Sequence, residues 1–170
     1  MAVSRDSARR HLAGDAWGAL LQVHARLVPE LDADVRRPTG LPLAWYDVLL
    51  ELAGAPDRRL RMGDLGDRVV LSRTRVSRLV TEMEAHGLVR RESNPDDRRS
   101  AFVAITDLGR RRYREAAPLY LRGIEERFAA RLTDHELEAI ATALQKVLAS
   151  DDATPRQRPK RSSTSSAVNP

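Results

Sequence analysis

The stretch Ser72-Arg73-Thr74-Arg75-Val76-Ser77-Arg78-Leu79-Val80-Thr81-Glu82-Met83-Glu84-Ala85-His86-Gly87 sets Val76, Leu79, Val80 and Met83 three and four residues apart, the spacing that lines one face of an α-helix. Ser72 suits the N-cap of a helix over 73–86, and Gly87 suits its C′ position. Opposite the apolar stripe stand Arg73, Thr74, Ser77, Arg78 and Thr81, with Arg75 at the flank. An arginine-bearing helix face is ordinarily just a solvated one. Here no acidic residue precedes Glu82, although the positive end of the helix dipole favours Asp and Glu over Arg in the first turn. Something other than helix stability selects cations there.

Downstream the period changes. Leu88-Val89-Arg90-Arg91-Glu92 and Ala101-Phe102-Val103-Ala104-Ile105 are rich in β-branched and aromatic residues, and Asn94-Pro95-Asp96-Asp97-Arg98-Arg99 between them is turn chemistry, so the segment reads as a β-hairpin with a charged tip. From Asp107 to about Arg131 the helical period returns, and Pro118 is expected to kink or break it. Thr133 and Glu136 form a capping box that opens a last helix through Leu137, Ile140, Leu144 and Leu148. Upstream, a short extended piece at Leu60-Arg61-Met62 precedes a short helix through Leu65 and Val69, weakened by Gly63 and Gly66. Before that, Pro42 opens a helix through Trp45, Val48, Leu49 and Leu52. A long amphipathic helix from Asp15 to about Arg37 carries Trp17, Leu20, Leu21, His24, Leu27, Val28, Leu31 and Val35 on one stripe.

Composition narrows the function classes. The chain has 170 residues and a formal net charge of +5, and its 29 basic residues include only two lysines, Lys146 and Lys160. Residues 58–114 hold 15 basic against 8 acidic side chains, so the positive charge is concentrated mid-chain, where it forms an electrostatic footprint for a polyanion. There is no cysteine, which removes disulfides, thiolate metal sites and thiol redox sensing. The four histidines, His11, His24, His86 and His135, are scattered, so no metal site is expected, and no other cofactor is implied. No nucleophile is paired with a base, no Gly-rich phosphate loop occurs, and an enzyme is not expected. Apolar runs are far shorter than the roughly 20 residues that a membrane span needs, and Arg5, Arg9 and Arg10 lead into no apolar core of a signal peptide. A cytoplasmic protein without membrane contact is the expectation.

A mainly helical order of α-α-α-α-β-β-α-α, with a short helix, a turn and a capped helix running at once into a hairpin, is the layout of a winged helix-turn-helix. In that layout the second helix of the pair lies in the major groove. Arginine can bond bidentately to guanine, and Ser or Thr can contact bases or phosphates, so Ser72, Arg73, Thr74, Arg75, Ser77 and Arg78 offer the chemistry of base reading. Arg98 and Arg99 at a thin tip suit a narrow minor groove, beside Asp96 and Asp97.

Asp97-Arg98-Arg99-Ser100-Ala101-Phe102-Val103-Ala104-Ile105-Thr106 resembles the wing signature of the MarR family of bacterial transcriptional regulators: Asp-x-Arg, five residues, an aliphatic residue and Thr. The stretch from Leu71 to Thr81, with Gly87-Leu88-Val89, is similar to that family's recognition helix and its exit into the wing, and the likeness runs from about Trp17 to Leu148. Ile105 replaces the usual leucine, and Gly63 and Gly66 stand where serine and alanine are common. The resemblance implies a homodimer built by the first helix and the last two, with Arg99 in the minor groove and Asp97 holding the wing arginine. It also implies double-stranded operator DNA as partner and a pseudo-palindromic site. Its members mostly repress transcription, and many release DNA when a small aromatic or phenolic compound binds. Trp17, His24, Trp45 and Tyr46 are the candidates for lining such a pocket, although aromatic residues at this spacing more often belong to a core.

The organisation expected is a flexible N-terminus at 1–14, a dimerisation region at 15–37 and 107–149, a winged DNA-binding domain at 38–106 and a disordered basic tail at 150–170. The competing reading is a ligand-independent winged-helix protein that binds DNA without regard to sequence, or that uses the same face for protein contact. Steep salt dependence without site preference would distinguish the former.

Overall fold

A computed structural model describes residues 5–69, 73–94 and 100–151, without the side chains of Arg5, Arg73, Ser150 and Asp151. The helices are α1 (Arg5–Thr39), α2 (Leu43–Gly54), α3 (Met62–Arg68), α4 (Arg73–Ala85), α5 (Asp107–Arg127) and α6 (Asp134–Asp151), and the strands are β1 (Arg59–Arg61), β2 (Val89–Ser93) and β3 (Ala101–Ile105). Contacts divide the chain into two compact units, Met1–Ala130 and Arg131–Pro170. This partition differs from the expected boundaries at 37/38 and 106/107, because α1 and α5 share one core with the winged segment.

α2 lies at the centre of the first unit. Tyr46, Val48, Leu49 and Leu52 are buried along it, and the N–H of Leu43 donates to Asp32 Oδ1 of α1 at 2.8 Å. That carboxylate caps a helix whose own N-cap residue, Pro42, has no side chain able to do so. Around α2 gather Leu31 and Val35 of α1, Leu65 of α3, Val76, Val80 and Met83 of α4, Val89, Val103 and Ile105 of the sheet, and Ala116 of α5.

The extended piece before α3 is a strand. β1 pairs antiparallel with β3 (Leu60↔Val103) and β3 with β2 (Arg91↔Val103), giving a three-stranded sheet of order β1-β3-β2 where a two-stranded hairpin was expected. α1 starts at Arg5, ten residues before the expected Asp15, so residues 5–14 are helical rather than flexible. Asp6 lies in the first turn and pairs with Arg10, and Gly14 in the interior costs only about 1 kcal/mol against alanine, too little to stop a helix of 35 residues. α5 runs unbroken through Pro118, contrary to the expected interruption, and ends at Arg127 instead of 131. Ala116, Ala117, Leu119 and Tyr120 around the proline all face the core, and that burial offsets the ~3 kcal/mol a helix-interior proline costs. The residues expected to form the tail lie, from 152 onward, outside the described residues, while 150 and 151 close α6.

Two joints hold the first unit. At one, α4 ends with Gly87 at φ +70°, Leu88 N–H donates to the Met83 carbonyl (2.9 Å) and Gly87 N–H to that of Glu84 (2.9 Å). Thr106 Oγ1 donates to the Gly87 carbonyl (2.6 Å) and accepts from Gly109 N–H (3.0 Å) as the N-cap of α5. A Cβ on Gly109 would stand 2.1 Å from the Leu88 carbonyl oxygen. At the other joint, Arg127 of α5 grips α1: Nε and Nη2 donate to the two oxygens of Asp34 (2.7 and 3.0 Å) and Nη1 to Glu30 (2.7 Å). Gly123 lets Leu31 close in beside it, since its Cβ would be 2.7 Å from Leu31 Cδ2.

In the second unit, Thr133 N–H donates to Glu136 Oε2 (2.8 Å) and Glu136 N–H to Thr133 Oγ1 (3.4 Å), the reciprocal capping box expected for α6.

Gly109→Ala should cost about 3 kcal/mol or more in urea unfolding, the upper range for overpacking, because backbone stands in the way. Gly63→Ala, with nothing within 4 Å of its Cβ, should instead stabilise by about 0.4–1 kcal/mol. Equal effects would remove the assigned role of the Leu88–Gly109 approach.

The Arg127 hydrogen bonds hold the Asp34 carboxyl below the usual carboxylate range against a lesser desolvation, with the charges of Arg127 and Arg37 adding to them. A depressed folded pKa gives stability that is complete above the unfolded value and is lost as pH falls through the folded one. Wild type should therefore lose stability from about pH 4 downward more steeply than Arg127→Ala, read as unfolding free energy against pH. Parallel profiles would show that the joint carries no proton linkage.

Candidate nucleic-acid interface

The stripe predicted for α4 is the buried one: Val76, Val80 and Met83 are each at most 1% exposed. The opposite side is open, with Thr74, Arg75, Ser77, Arg78 and Thr81 exposed. The helix thus presents Thr74, Ser77 and Arg78, at positions i, i+3 and i+4, on one solvent-facing strip. Arg73 begins α4, but its side chain is not described, and Ser72, the expected N-cap, lies outside the described residues. The same holds for Asp97, Arg98 and Arg99 of the wing tip. The neck of the wing is described: Asn94, 1% exposed, donates from Nδ2 to Ser100 Oγ at 2.7 Å, across the mouth of the loop where β2 ends and β3 begins.

Side chains that sequence reasoning left without a role fix this surface. Arg91 of β2 lies against α4. Its backbone N–H donates to Glu84 Oε1 (2.9 Å), Nη1 bonds Glu84 Oε2, and Nη2 donates to Thr81 Oγ1 (2.8 Å) and to the Ser77 carbonyl (3.4 Å). The recurrence of Ser77, Thr81 and Glu84 at i, i+4 and i+7 was the available signal, since those positions share a helix face. On the other face of the sheet, Arg59 and Arg61 stand over the Phe102 ring at 4.8 and 5.9 Å, and Glu92 accepts from Arg59 (3.3 Å) and from Arg90 Nε (2.9 Å). The Arg90 hydrogen bond, opposed by desolvation and helped by that of Arg59, keeps the Glu92 carboxyl low.

The four candidates for a ligand pocket are not brought together within residues 1–130. Trp17 is 61% exposed and His24 is exposed, because the part of α1 that is buried begins near Leu31 and no described residue of this unit covers the stripe before it. Tyr46 is buried in the core, where its ring lies 5.5 Å from that of Tyr113 and 4.9 Å from that of Tyr120, and burial pushes its hydroxyl up to about 12. Trp45 meets the His86 ring edge-on at 4.8 Å and borders a pocket of about 230 Å³ with Leu88, Leu108 and Arg112. Periodicity sets Trp17 and His24 in line with Leu31 and does not show what lies opposite them.

Among the described residues no group of three or more His, Cys, Asp or Glu is placed to hold a metal ion, and no helix is long and apolar enough to cross a membrane.

A sequence model of the MarR family matches residues 39–100, the span from the end of α1 to the base of the wing. The chain is 29% identical over 103 residues to the transcriptional regulator HosA of Escherichia coli O111:H-, covering 61% of this chain and 74% of that one. Among solved structures it is similar to Sco3205, a MarR family transcriptional regulator from Streptomyces coelicolor crystallised in complex with DNA, with a TM-score of 0.76, 27% identity and coverage of 95% and 96% of the two chains. AbsC, another such regulator from Streptomyces coelicolor, gives a TM-score of 0.75 at 28% identity over 91% of this chain and 99% of that one. These relatives are regulators of transcription and not enzymes. With the winged helix-turn-helix in place and the likeness extending along both α1 and α5, the chain is similar in fold and sequence to transcriptional regulators of the MarR family.

Proposed function

We propose that the protein is a homodimeric repressor that acts in the cytoplasm on a pseudo-palindromic operator, with α4 reading bases in the major groove and Arg98 and Arg99 entering the adjacent minor groove. The observation that carries this reading is the open face of α4, where Thr74, Ser77 and Arg78 stand together opposite a stripe with no freedom to turn outward. Guanidinium and hydroxyl groups on one strip of an exposed helix match the donor and acceptor pattern of base edges in the major groove. The similarity to Sco3205, a regulator seen in complex with DNA, supports the same reading.

Homodimerisation is supported by apolar surface left open within each unit. In the first, Leu12, Trp17 and Leu21 of α1 are 69%, 61% and 49% exposed and Leu121 of α5 is 63% exposed; in the second, Val147 and Leu148 of α6 are 65% and 69% exposed. So much exposed apolar side chain on three helices is the mark of an association surface. A released state fits the pocket beside Trp45: a small aromatic compound seated there touches His86 at the end of α4 and Leu108 at the start of α5.

Selection of random duplexes on the purified protein at about 150 mM salt tests the reading, because screening there limits long-range attraction. The expected outcome is an inverted repeat with half-sites about 10 bp apart, bound by a dimer in sedimentation equilibrium. On that site Arg78→Ala should cost roughly 1–3 kcal/mol and relax preference at one base pair. Uniform weakening on every sequence would make Arg78 a phosphate contact, and no enrichment by a folded protein would favour binding without sequence preference.

A further inference from the structure

The apolar stripe holds α4 to the core through Val76, Val80 and Met83, and such contacts are not directional. They fix how far the helix stands from the core far better than they fix its angle. Hydrogen bonds are directional, and Arg91 supplies several along the other side of the helix. Ser77, Thr81 and Glu84 span two turns. The Arg91 guanidinium reaches all three, Thr81 Oγ1 donates in addition to the Ser77 carbonyl at 3.0 Å, and the Arg91 backbone N–H is bound to Glu84 as well. β2 is itself locked to β3 over five residue pairs. We propose that Arg91 is a positioning residue for base reading, a splint between β2 and two turns of α4 that sets the angle at which Thr74, Ser77 and Arg78 meet the duplex.

The proposal rests on the operator-binding reading above. Its chemistry calls for arginine: two nitrogens of one rigid planar fork serve a carboxylate on one side and a hydroxyl and a carbonyl on the other, whereas lysine offers its three donors from a single nitrogen on a flexible stem. Arg91 also neutralises Glu84, a carboxylate on the same helix as the reading strip.

The test compares wild type with Arg91→Ala, Arg91→Lys, Thr81→Val and the double variant Arg91→Ala with Arg78→Ala. Affinity is measured on the selected operator and on a scrambled duplex over a range of salt, and thermal unfolding reports whether each variant is folded. Arg91→Ala should weaken operator binding by about tenfold or more and scrambled binding far less, with the slope against salt unchanged. The double variant should bind about as weakly as the worse single one, since a misplaced helix has little left for Arg78 to lose. Arg91→Lys should recover only part of the loss.

Three results would overturn the proposal: an unchanged operator affinity, strictly multiplying losses in the double variant, or equal losses on both duplexes with a salt slope smaller by about one. The last of these would make Arg91 a direct phosphate contact. If Arg91→Ala does not fold, Thr81→Val decides, because it keeps the ion pair and removes the bond from Arg91 to Thr81 together with that from Thr81 to the Ser77 carbonyl; reduced preference for the operator supports the splint, and unaltered preference refutes it. Amide hydrogen exchange on the free protein is the readout that does not depend on an operator. Exchange along 77–85 should quicken about tenfold or more in a folded Arg91 or Thr81 variant, and unchanged rates would refute the splint even if no operator were ever selected.

Discussion

The approach of the Leu88 carbonyl to Gly109 is the constraint on which the first unit depends. At that point the chain leaves α4, enters β2, and 18 residues later returns from β3 to begin α5, so four elements share one corner. Thr106 makes the corner polar and satisfied: it donates to the Gly87 carbonyl while capping α5. There is no room for a Cβ at residue 109, and Gly87 takes a left-handed φ that few other residues adopt cheaply. The corner is therefore specified by two glycines and a threonine, and their spacing matters more than the identity of the apolar residues around them.

The corner also aims the elements that leave it. Because β2 starts where α4 stops, its third residue lands beside the last two turns of that helix, and Arg91 finds Glu84, Thr81 and Ser77 within reach. Because α5 starts from the same place, its first two thirds bring Tyr113 and Tyr120 against Tyr46 of α2, and its last turns meet α1 at Gly123 and Arg127. The contact with α2 is largely apolar and packs against the core. The contact with α1 includes a partly exposed ion pair, of the kind that contributes specificity of register more than stability. α1 is thus anchored near its C-terminal end, and the half that carries Leu12, Trp17 and Leu21 projects with its apolar side chains open.

Much of this was legible in the sequence wherever the determinant is local. The α4 stripe, the Gly87 stop, the two strands of the wing and the Thr133–Glu136 box are set by residues within a few positions of one another, and each lies where period and capping chemistry place it. What was not legible is set across distance. The pairing of β1 with β3 joins residues more than 40 positions apart, and three residues carry too little pattern to announce a strand. Pro118 stays inside α5 because its neighbours on that helix pack against the core, a tertiary effect that outweighs local propensity. Trp17, His24, Trp45 and Tyr46 group as aromatic residues, two of them on one stripe of α1 and two at the start of α2. Period gives the face of a helix and not its neighbour, so Tyr46 went to the core and Trp17 to the surface. The exposed strip on α4 could be named residue by residue, whereas the arginine bonded along that helix sits on another element and could not.

The start of α4 is not arranged for helix stability. Its first turn contains no acidic residue, and arginines at 73, 75 and 78 crowd the end where the helix dipole is already positive. Each such placement is locally unfavourable by some tenths of a kcal/mol, and a helix of 13 residues is marginal by itself. The compensation lies on the other sides of the same helix. Val76, Val80 and Met83 are wholly buried, which at roughly 1.5–3 kcal/mol for each large apolar side chain exceeds the electrostatic penalty several-fold. The acidic residues that the dipole would have drawn to the first turn stand instead at 82 and 84, where Glu84 is engaged by Arg91 and leaves the N-terminal half clear of negative charge. A helix built only to be stable would exchange these positions. One built to meet a polyanion keeps its cations forward, its carboxylates rearward with Glu84 neutralised, and draws its stability from the core beneath.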